Sequence, residues 1–162
     1  MKNWYSVFYI PTENCYVFET DYGISYEIRL QTRSELISAY PHINLNVFEF
    51  SFAPANNAVP VSDDRIEPTI IHFLSVYFGK QTNALVVVYE SLDGRHNARH
   101  LLFSKWLNRH TSENYLERVG FAIHMDESLD IKGLFLFRAD HPQHDEILKI
   151  VDSIIKDMQS LK

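Results

Sequence analysis

Residues 84–89, Ala-Leu-Val-Val-Val-Tyr, constrain the fold of this chain most, because every side chain among them is apolar or aromatic. Successive side chains of a β-strand point to opposite faces of the sheet. A strand that is apolar at every position must therefore be covered on both faces. We predict that residues 84–89 form a strand in the interior of a sheet, with other elements packed above and below it.

Segments with alternating apolar and polar residues flank this strand in the sequence. In residues 24–30, every second residue from Ile24 to Leu30 is apolar, which is typical of an antiparallel strand with one wet face. The preceding Asp21-Tyr22-Gly23 favours a hairpin, with the glycine in a left-handed position. The strands predicted in this way, besides residues 84–89, are 4–10 as an edge strand, 14–20, 24–30, 46–52, 117–125 and 131–139.

Three segments carry apolar residues at helical spacing. In the first, Asp64 and Glu67 have the spacing of a capping box, and Gly79 is a good terminator. The third begins near Asp140 or His141, with Pro142 inside its start. The helices predicted in this way are residues 64–79, a second from about His96 to Asn108, and a final one that begins near Asp140 or His141. Their apolar stripes should pack on the sheet over residues near 64–79, 97–108 and 144–160.

The order of these elements indicates the fold class. Antiparallel strands in succession, followed by mixed strands and helices, are typical of an α+β fold. We predict one mostly antiparallel or mixed sheet of about six to seven strands, with three helices packed on it. The sequence contains no internal repeat and no low-complexity segment, so residues 1–162 are expected to form a single domain.

Composition and charge restrict where such a domain works. The formal net charge of −6 argues against a general nucleic-acid coat protein. Cys15 is the one cysteine and has no internal disulfide partner, which is consistent with a reducing compartment. No apolar run approaches the roughly 20 residues that cross a bilayer, and the first residues lack the apolar core of a secretion signal. We expect a soluble cytoplasmic protein, with no membrane or nucleic-acid partner and with its oligomeric state left open.

Charged and titratable residues concentrate in residues 91–100, Ser-Leu-Asp-Gly-Arg-His-Asn-Ala-Arg-His. This segment leaves the most buried strand, turns, and enters a helix, and the start of a helix favours anions. Basic residues in the first turns of a helix oppose its dipole, so a bound anion or nearby carboxylates should offset that cost. The candidate ligand-binding residues are Asp93, Arg95, His96, Arg99 and His100.

Arg99 is the most informative of these residues. Helical spacing places it on the same side as Phe103 and Trp106, so we expect its guanidinium to be mostly buried. A buried guanidinium needs a partner. That partner is either a carboxylate, with Asp93 favoured, or a bound anion at the bottom of a cleft.

Three segments carry a resemblance to a known family: residues 16–26; Asp64-Arg65-Ile66 with Thr69-Ile70; and residues 91–95 with Arg99, Phe103 and Trp106. They resemble an uncharacterised family of short single-domain bacterial proteins, mostly from Bacteroidetes, which is a domain of unknown function. The resemblance covers almost the whole chain. It implies a stand-alone bacterial protein and supplies no activity and no catalytic residues.

Metal, cofactor and nucleophile signals are weak. His96 and His100 are four residues apart and could share a metal ion, but Asn97 occupies the position of a metalloprotease glutamate, and a third ligand has no diagnostic spacing. Cys15 has no adjacent basic residue that would activate its thiol. Nucleotide-binding and nucleophile-elbow motifs are absent from the sequence. We therefore expect no metal and no cofactor, and we assign no catalytic residue.

Two functions fit this sequence. The first is a non-catalytic binding or interaction module, for an unknown protein or a small anionic ligand. The alternative is a small enzyme or ligand sensor for a phosphate- or carboxylate-bearing ligand, with Arg95 and Arg99 as anchors and His96 or His100 as proton carrier. No complete catalytic set can be assembled, which favours the first. A concave pocket at the start of the second helix would favour the alternative.

Overall fold

A computed structural model of the chain describes residues 2–90, 96–112, 114–125, 127 and 129–160, without the side chains of residues 90, 96 and 97. Two short 3-10 helices, Ser34–Ile37 and Ala55–Asn57, accompany the main elements. Those elements are, in chain order, β1 (Phe8–Ile10), β2 (Cys15–Glu19), β3 (Ser25–Thr32), β4 (Asn46–Pro54), α1 (Ile66–Tyr77), β5 (Asn83–Glu90), α2 (His96–His110), β6 (Leu116–His124), β7 (Asp130–Arg138) and α3 (His144–Ser160).

The described strands form one seven-stranded sheet in the order β1-β2-β3-β4-β5-β7-β6. Strands β1 to β4 pair antiparallel with their neighbours in sequence. Strand β5 then pairs parallel with β4, after a crossover through α1, and antiparallel with β7 on its other side. The prediction of an α+β fold, with residues 84–89 in the sheet interior, is therefore confirmed.

Helices cover both faces of β5, as its apolar sequence requires. On one face, Leu85, Val87 and Tyr89 belong to the larger core, which includes buried residues of α1 and α2. On the other face, Ala84 and Val86 belong to a smaller core that α3 completes with Ile147, Ile150 and Val151. The domain thus has three layers, with α1 and α2 on one side of the sheet and α3 on the other.

The start of α3 agrees with the packed segment predicted near residues 144–160, but not with a first turn near Asp140 or His141. The helix spans His144–Ser160. His141 is 4% exposed, its Nδ1 accepts the N–H of Gln143 at 2.9 Å, and its Nε2 lies 2.8 Å from the carbonyl oxygen of Asn44. Asp140 forms an ion pair with Arg138 instead of capping the helix. These tertiary contacts hold the segment in a turn.

The capping box predicted for α1 is also not formed. The helix begins at Ile66, and the carboxylate of Asp63 accepts the N–H of Arg65 at 2.9 Å just before it. Glu67, expected to pair back to Asp64, instead forms an ion pair with Arg109 of α2 at 2.7 Å. A contact between two helices thus takes the place of a local one. Among the described helices, none combines the length and the apolar composition needed to cross a bilayer.

Gly133 of β7 is required by close packing on the α3 side of the sheet. A Cβ built at Gly133 would lie 2.0 Å from the ring of Phe121, its partner on β6. Gly120 precedes Phe121 on β6. A Cβ built at Gly120 would have its nearest neighbouring atom 4.0 Å away, so this position has open space. The two glycines therefore form a matched pair for substitution.

We expect Gly133→Ala to destabilise the protein by about 1–3 kcal/mol, because the Phe121 ring must leave its position. Gly120→Ala is expected to stabilise it by about 0.5–1 kcal/mol, because alanine loses less conformational entropy in a strand. Denaturant unfolding measures both. Equal effects of the two substitutions would contradict the packing described here.

Candidate functional site

A cavity of about 320 Å³ lies between the sheet and α3. Its floor is formed by strand residues of β5, β6 and β7, including Val88, Phe121 and Phe135. Its wall is formed by the C-terminal half of α3, including Ile154 and Met158. The lining is mostly apolar, so water inside it is poorly accommodated.

The cavity follows from how α3 packs. In the first half of the helix, Ile147, Ile150 and Val151 are buried against the sheet. In the second half, Ile154 and Met158 face the same side but are only half-buried. The apolar stripe of α3 therefore continues beyond the point where the sheet covers it tightly. The ring of Phe121 occupies the space that a side chain at position 133 would take.

Charged residues stand at the mouth of the cavity. Arg33 precedes the 3-10 helix Ser34–Ile37. Its Nη2 lies 3.0 Å from Oε1 of Glu49 on β4. A second carboxylate, that of Glu35, lies 3.4 Å from Nη1 of the same guanidinium. The hydrogen bonds that Arg33 donates to Glu49 raise the pKa of Arg33, so the guanidinium stays charged. With one arginine and two glutamates, these three side chains carry a net negative charge.

The structure describes only part of the site predicted over residues 91–100. Asp93 and Arg95 lie outside the described residues, and His96 is described only by its backbone at the first position of α2. The expected pairing of Arg99 with Asp93 therefore lies outside the described residues as well. Arg99 and His100 are the predicted residues whose side chains can be placed.

The prediction that Arg99 is mostly buried is wrong. Its side chain is exposed, and so is Leu102, at 50%. The buried side of α2 begins with Phe103 and continues with Trp106 and Leu107. Arg99 lies one turn before this buried segment, and the adjacent His100, not Arg99, contacts the core at this point. Helical spacing identified Phe103 and Trp106 as buried but placed Arg99 on the wrong side of the boundary between buried and exposed residues.

His100 is half-buried and contacts Tyr89 of β5. The two rings are arranged edge to face, with centroids 5.4 Å apart. The hydroxyl of Tyr89 and Nδ1 of His100 are both buried and have no hydrogen-bond partner among the described residues. Burial and then the charge of Lys132 lower the pKa of His100, so its imidazole is neutral near pH 7. Burial also raises the pKa of Tyr89.

Other titratable groups are placed in structural roles. Cys15 is fully buried, and burial raises the pKa of its thiol, so it is a poor nucleophile. Within the described residues, no group of three or more histidine, cysteine, aspartate and glutamate side chains is arranged to hold a metal ion. His144 pairs with Asp145 and Glu117, and these hydrogen bonds raise its pKa.

The sequence interpretation missed the cavity because its lining residues have the same pattern as core residues. Val88, Phe121 and Ile154 lie on the faces expected to be buried, and they do face inward. Gly133 within an apolar strand was the one local signal that a neighbouring ring needed space. The pairing of Arg33 with Glu49 spans 16 residues and has no local signature.

We expect His100 and His144 to titrate on opposite sides of pH 6.5, the ordinary histidine value. The folded pKa of His100 is lowered, so its contribution to stability is present above pH 6.5 and is lost as the pH falls through the folded value. The folded pKa of His144 is raised, so its contribution is present below pH 6.5 and is lost as the pH rises through the folded value.

NMR titration of the imidazole signals, assigned with His100→Asn and His144→Asn, measures both values. The two variants should also shift the pH dependence of unfolding in opposite directions. The reverse order of titration, or a single shared midpoint, would contradict the burial of His100 and the ion pairs of His144.

Comparison with known proteins gives one match. No curated protein and no solved structure matches the chain. A family model described as "Family of unknown function (DUF6169)" matches residues 62–156, which is more than half of the chain. The match includes Asp64-Arg65-Ile66 and the α2 residues on which the resemblance rested, whereas residues 16–26 lie outside it. It extends over most of the cavity lining and over β5, α2 and β7. The chain therefore belongs to this family of unknown function.

Proposed function

We propose that this protein is a non-catalytic binding module whose ligand is a small apolar molecule held between the sheet and α3. The observation that carries the proposal is the apolar cavity of about 320 Å³. Small-molecule sites typically have volumes of roughly 300–1,000 Å³ and mostly apolar linings. This cavity is large enough for such a ligand and too small for a folded partner segment.

The lining explains how a ligand would be held. Val88, Phe121 and Ile154 are half-buried, so part of their apolar surface faces the cavity. Each square ångström of such surface that a ligand covers contributes about 25 cal/mol to binding. The floor is formed by paired strands, so little ordering of the backbone is needed when the ligand enters.

The mouth determines which polar group the ligand carries. Arg33 is already engaged by Glu49 and Glu35, so an anionic group would have to compete with both carboxylates. The net negative charge there repels an anion and tolerates a neutral or cationic group. We therefore assign the site to an apolar molecule with a neutral or cationic polar end.

The polar residues of this cavity support binding rather than catalysis. Its charged lining consists of Arg33, Glu35 and Glu49, which pair with one another. Histidine, cysteine and serine do not contribute to the described lining.

We further propose that the protein works in the cytoplasm of a bacterium. The resemblance to a family mostly from Bacteroidetes supports the bacterial origin, and the free thiol of Cys15 supports a reducing compartment.

A pair of fluorescent probes tests this function. Phenylnaphthylamine is apolar and neutral, and anilinonaphthalene sulfonate has the same rings with an added sulfonate. We expect the neutral probe to bind with a stoichiometry of one and more tightly than the sulfonate. Val88→Phe fills the cavity and should weaken binding of the neutral probe at least about tenfold, or about 1.4 kcal/mol.

Two further variants complete the experiment. Val76→Phe adds the same atoms on the exposed face of α1, where Val76 is 68% exposed, and should leave binding unchanged. Glu49→Gln removes a carboxylate and releases Arg33, so the sulfonate should bind more tightly to this variant than to the wild type. Equal binding to the wild type and Val88→Phe, with both folded by circular dichroism, would overturn the proposal.

A further inference from the structure

Two buried polar atoms lie on the opposite face of the sheet from the cavity, and the described residues do not satisfy them. Tyr89 is 5% exposed, and its hydroxyl has no hydrogen-bond partner among those residues. Nδ1 of His100 is buried and unpaired in the same sense. Buried polar groups are nearly always paired, with protein, water or ligand. Each unpaired group therefore needs an explanation.

The two groups are close to each other and come from different elements. Tyr89 is on β5 and His100 is in the second turn of α2, which packs on β5 and β7. Their rings contact edge to face, with centroids 5.4 Å apart and an interplanar angle of 85°. The two side chains therefore share one position between β5 and α2.

Among the described residues, the charge beside this position is positive. Lys132 of β7 is the direct partner of Tyr89 in the sheet register, so its side chain leaves the sheet on the same face. It is half-buried, and its charge acts on His100. The N-terminal end of α2 adds a partial positive charge, and its first turn contains no acidic residue. An uncharged or cationic group would gain little from this environment.

We propose that Tyr89, His100 and Lys132 form a binding site for a small oxyanion, the phosphate or carboxylate group of a ligand. The hydroxyl of Tyr89 and an N–H of His100 donate hydrogen bonds to the oxyanion. The ammonium of Lys132 supplies the opposite charge. This site lies across the sheet from the apolar cavity and does not depend on it.

The site also explains why two polar side chains lie at an otherwise apolar position. The neighbouring residues of the same face, Val87 and Leu134, are buried and apolar. A phenylalanine in place of Tyr89 would fill the same space without an unpaired hydroxyl. Binding an oxyanion is the use that this hydroxyl, the imidazole and the ammonium share.

Thermal unfolding with inorganic phosphate or acetate tests the site, with sodium chloride added to keep the ionic strength constant. At least one of the two anions should raise the Tm of the wild-type protein by several degrees, in a concentration-dependent way. A response to phosphate alone identifies a phosphate group, and a response to acetate alone identifies a carboxylate. A wild-type protein that responds to neither overturns the proposal.

Tyr89→Phe and Lys132→Gln should abolish the response. Without the anion, Tyr89→Phe should leave the Tm unchanged or raise it, because it removes an unpaired buried hydroxyl. Tyr77→Phe is the matched control: the hydroxyl of Tyr77 donates to the carbonyl oxygen of Ala84 at 2.6 Å. This variant should lower the Tm and keep the response. Lys105→Gln, at an exposed position on α2, should also keep it.

Two results would overturn the proposal even if an anion stabilises the protein. One is a lower Tm of Tyr89→Phe without the anion, which would show that the hydroxyl is already paired. The other is an unchanged anion response in Tyr89→Phe. NMR of the His100 imidazole gives a direct readout, since its nitrogen signals should shift on addition of the active anion. Val88→Phe should respond like the wild type, so this site and the apolar cavity succeed or fail separately.

Discussion

The burial of β5 on both faces is the constraint on which the rest of the structure depends. A strand with apolar side chains at every position is stable only when both faces are dry. In this chain, α1 and α2 cover Leu85 and Val87, and α3 covers Ala84 and Val86. The parallel pairing of β4 with β5 follows from the same need, because a crossover helix can lie over the strand that it joins. The three layers of the domain are the consequence.

The two faces are covered unequally, and this inequality produces the apolar cavity. Two helices and several contacts between aromatic rings, among them Phe50 with Phe103 and Phe52 with Trp106, close one face. One helix covers the other face, and only its first half packs tightly against the sheet. A single helix is narrower than three neighbouring strands. Space therefore remains beside its second half, and the apolar side chains around that space become a lining instead of a core.

The sequence predicted the features that depend on local periodicity. Strand alternation located β3 and β4, helical spacing located α1 and α2, and the continuous apolar run located the sheet interior. Periodicity did not predict features that depend on contacts between residues distant in sequence. His141 contacts Asn44, which holds the segment before α3 in a turn. Glu67 pairs with Arg109 instead of capping its own helix. Of the three residues of the proposed oxyanion site, the sequence identified His100 as a candidate. It did not identify Tyr89 and Lys132, because their proximity comes from the pairing of β5 with β7. Periodicity identifies the face of a residue, but not its neighbours on the adjacent strand.

The position of Tyr89 differs from the rest of the larger core in how its polar atom is treated. Most of the larger core is filled by side chains with no polar atoms, and the partly buried hydroxyl of Tyr77 has its carbonyl partner. Tyr89 and His100 depart from this pattern at the end of β5, next to the segment where basic residues concentrate. An unpaired buried hydroxyl lowers stability by about 1–3 kcal/mol, and a phenylalanine would remove that cost without changing the shape. A state in which this hydroxyl is paired would remove the cost, and the oxyanion proposed above would supply such a partner.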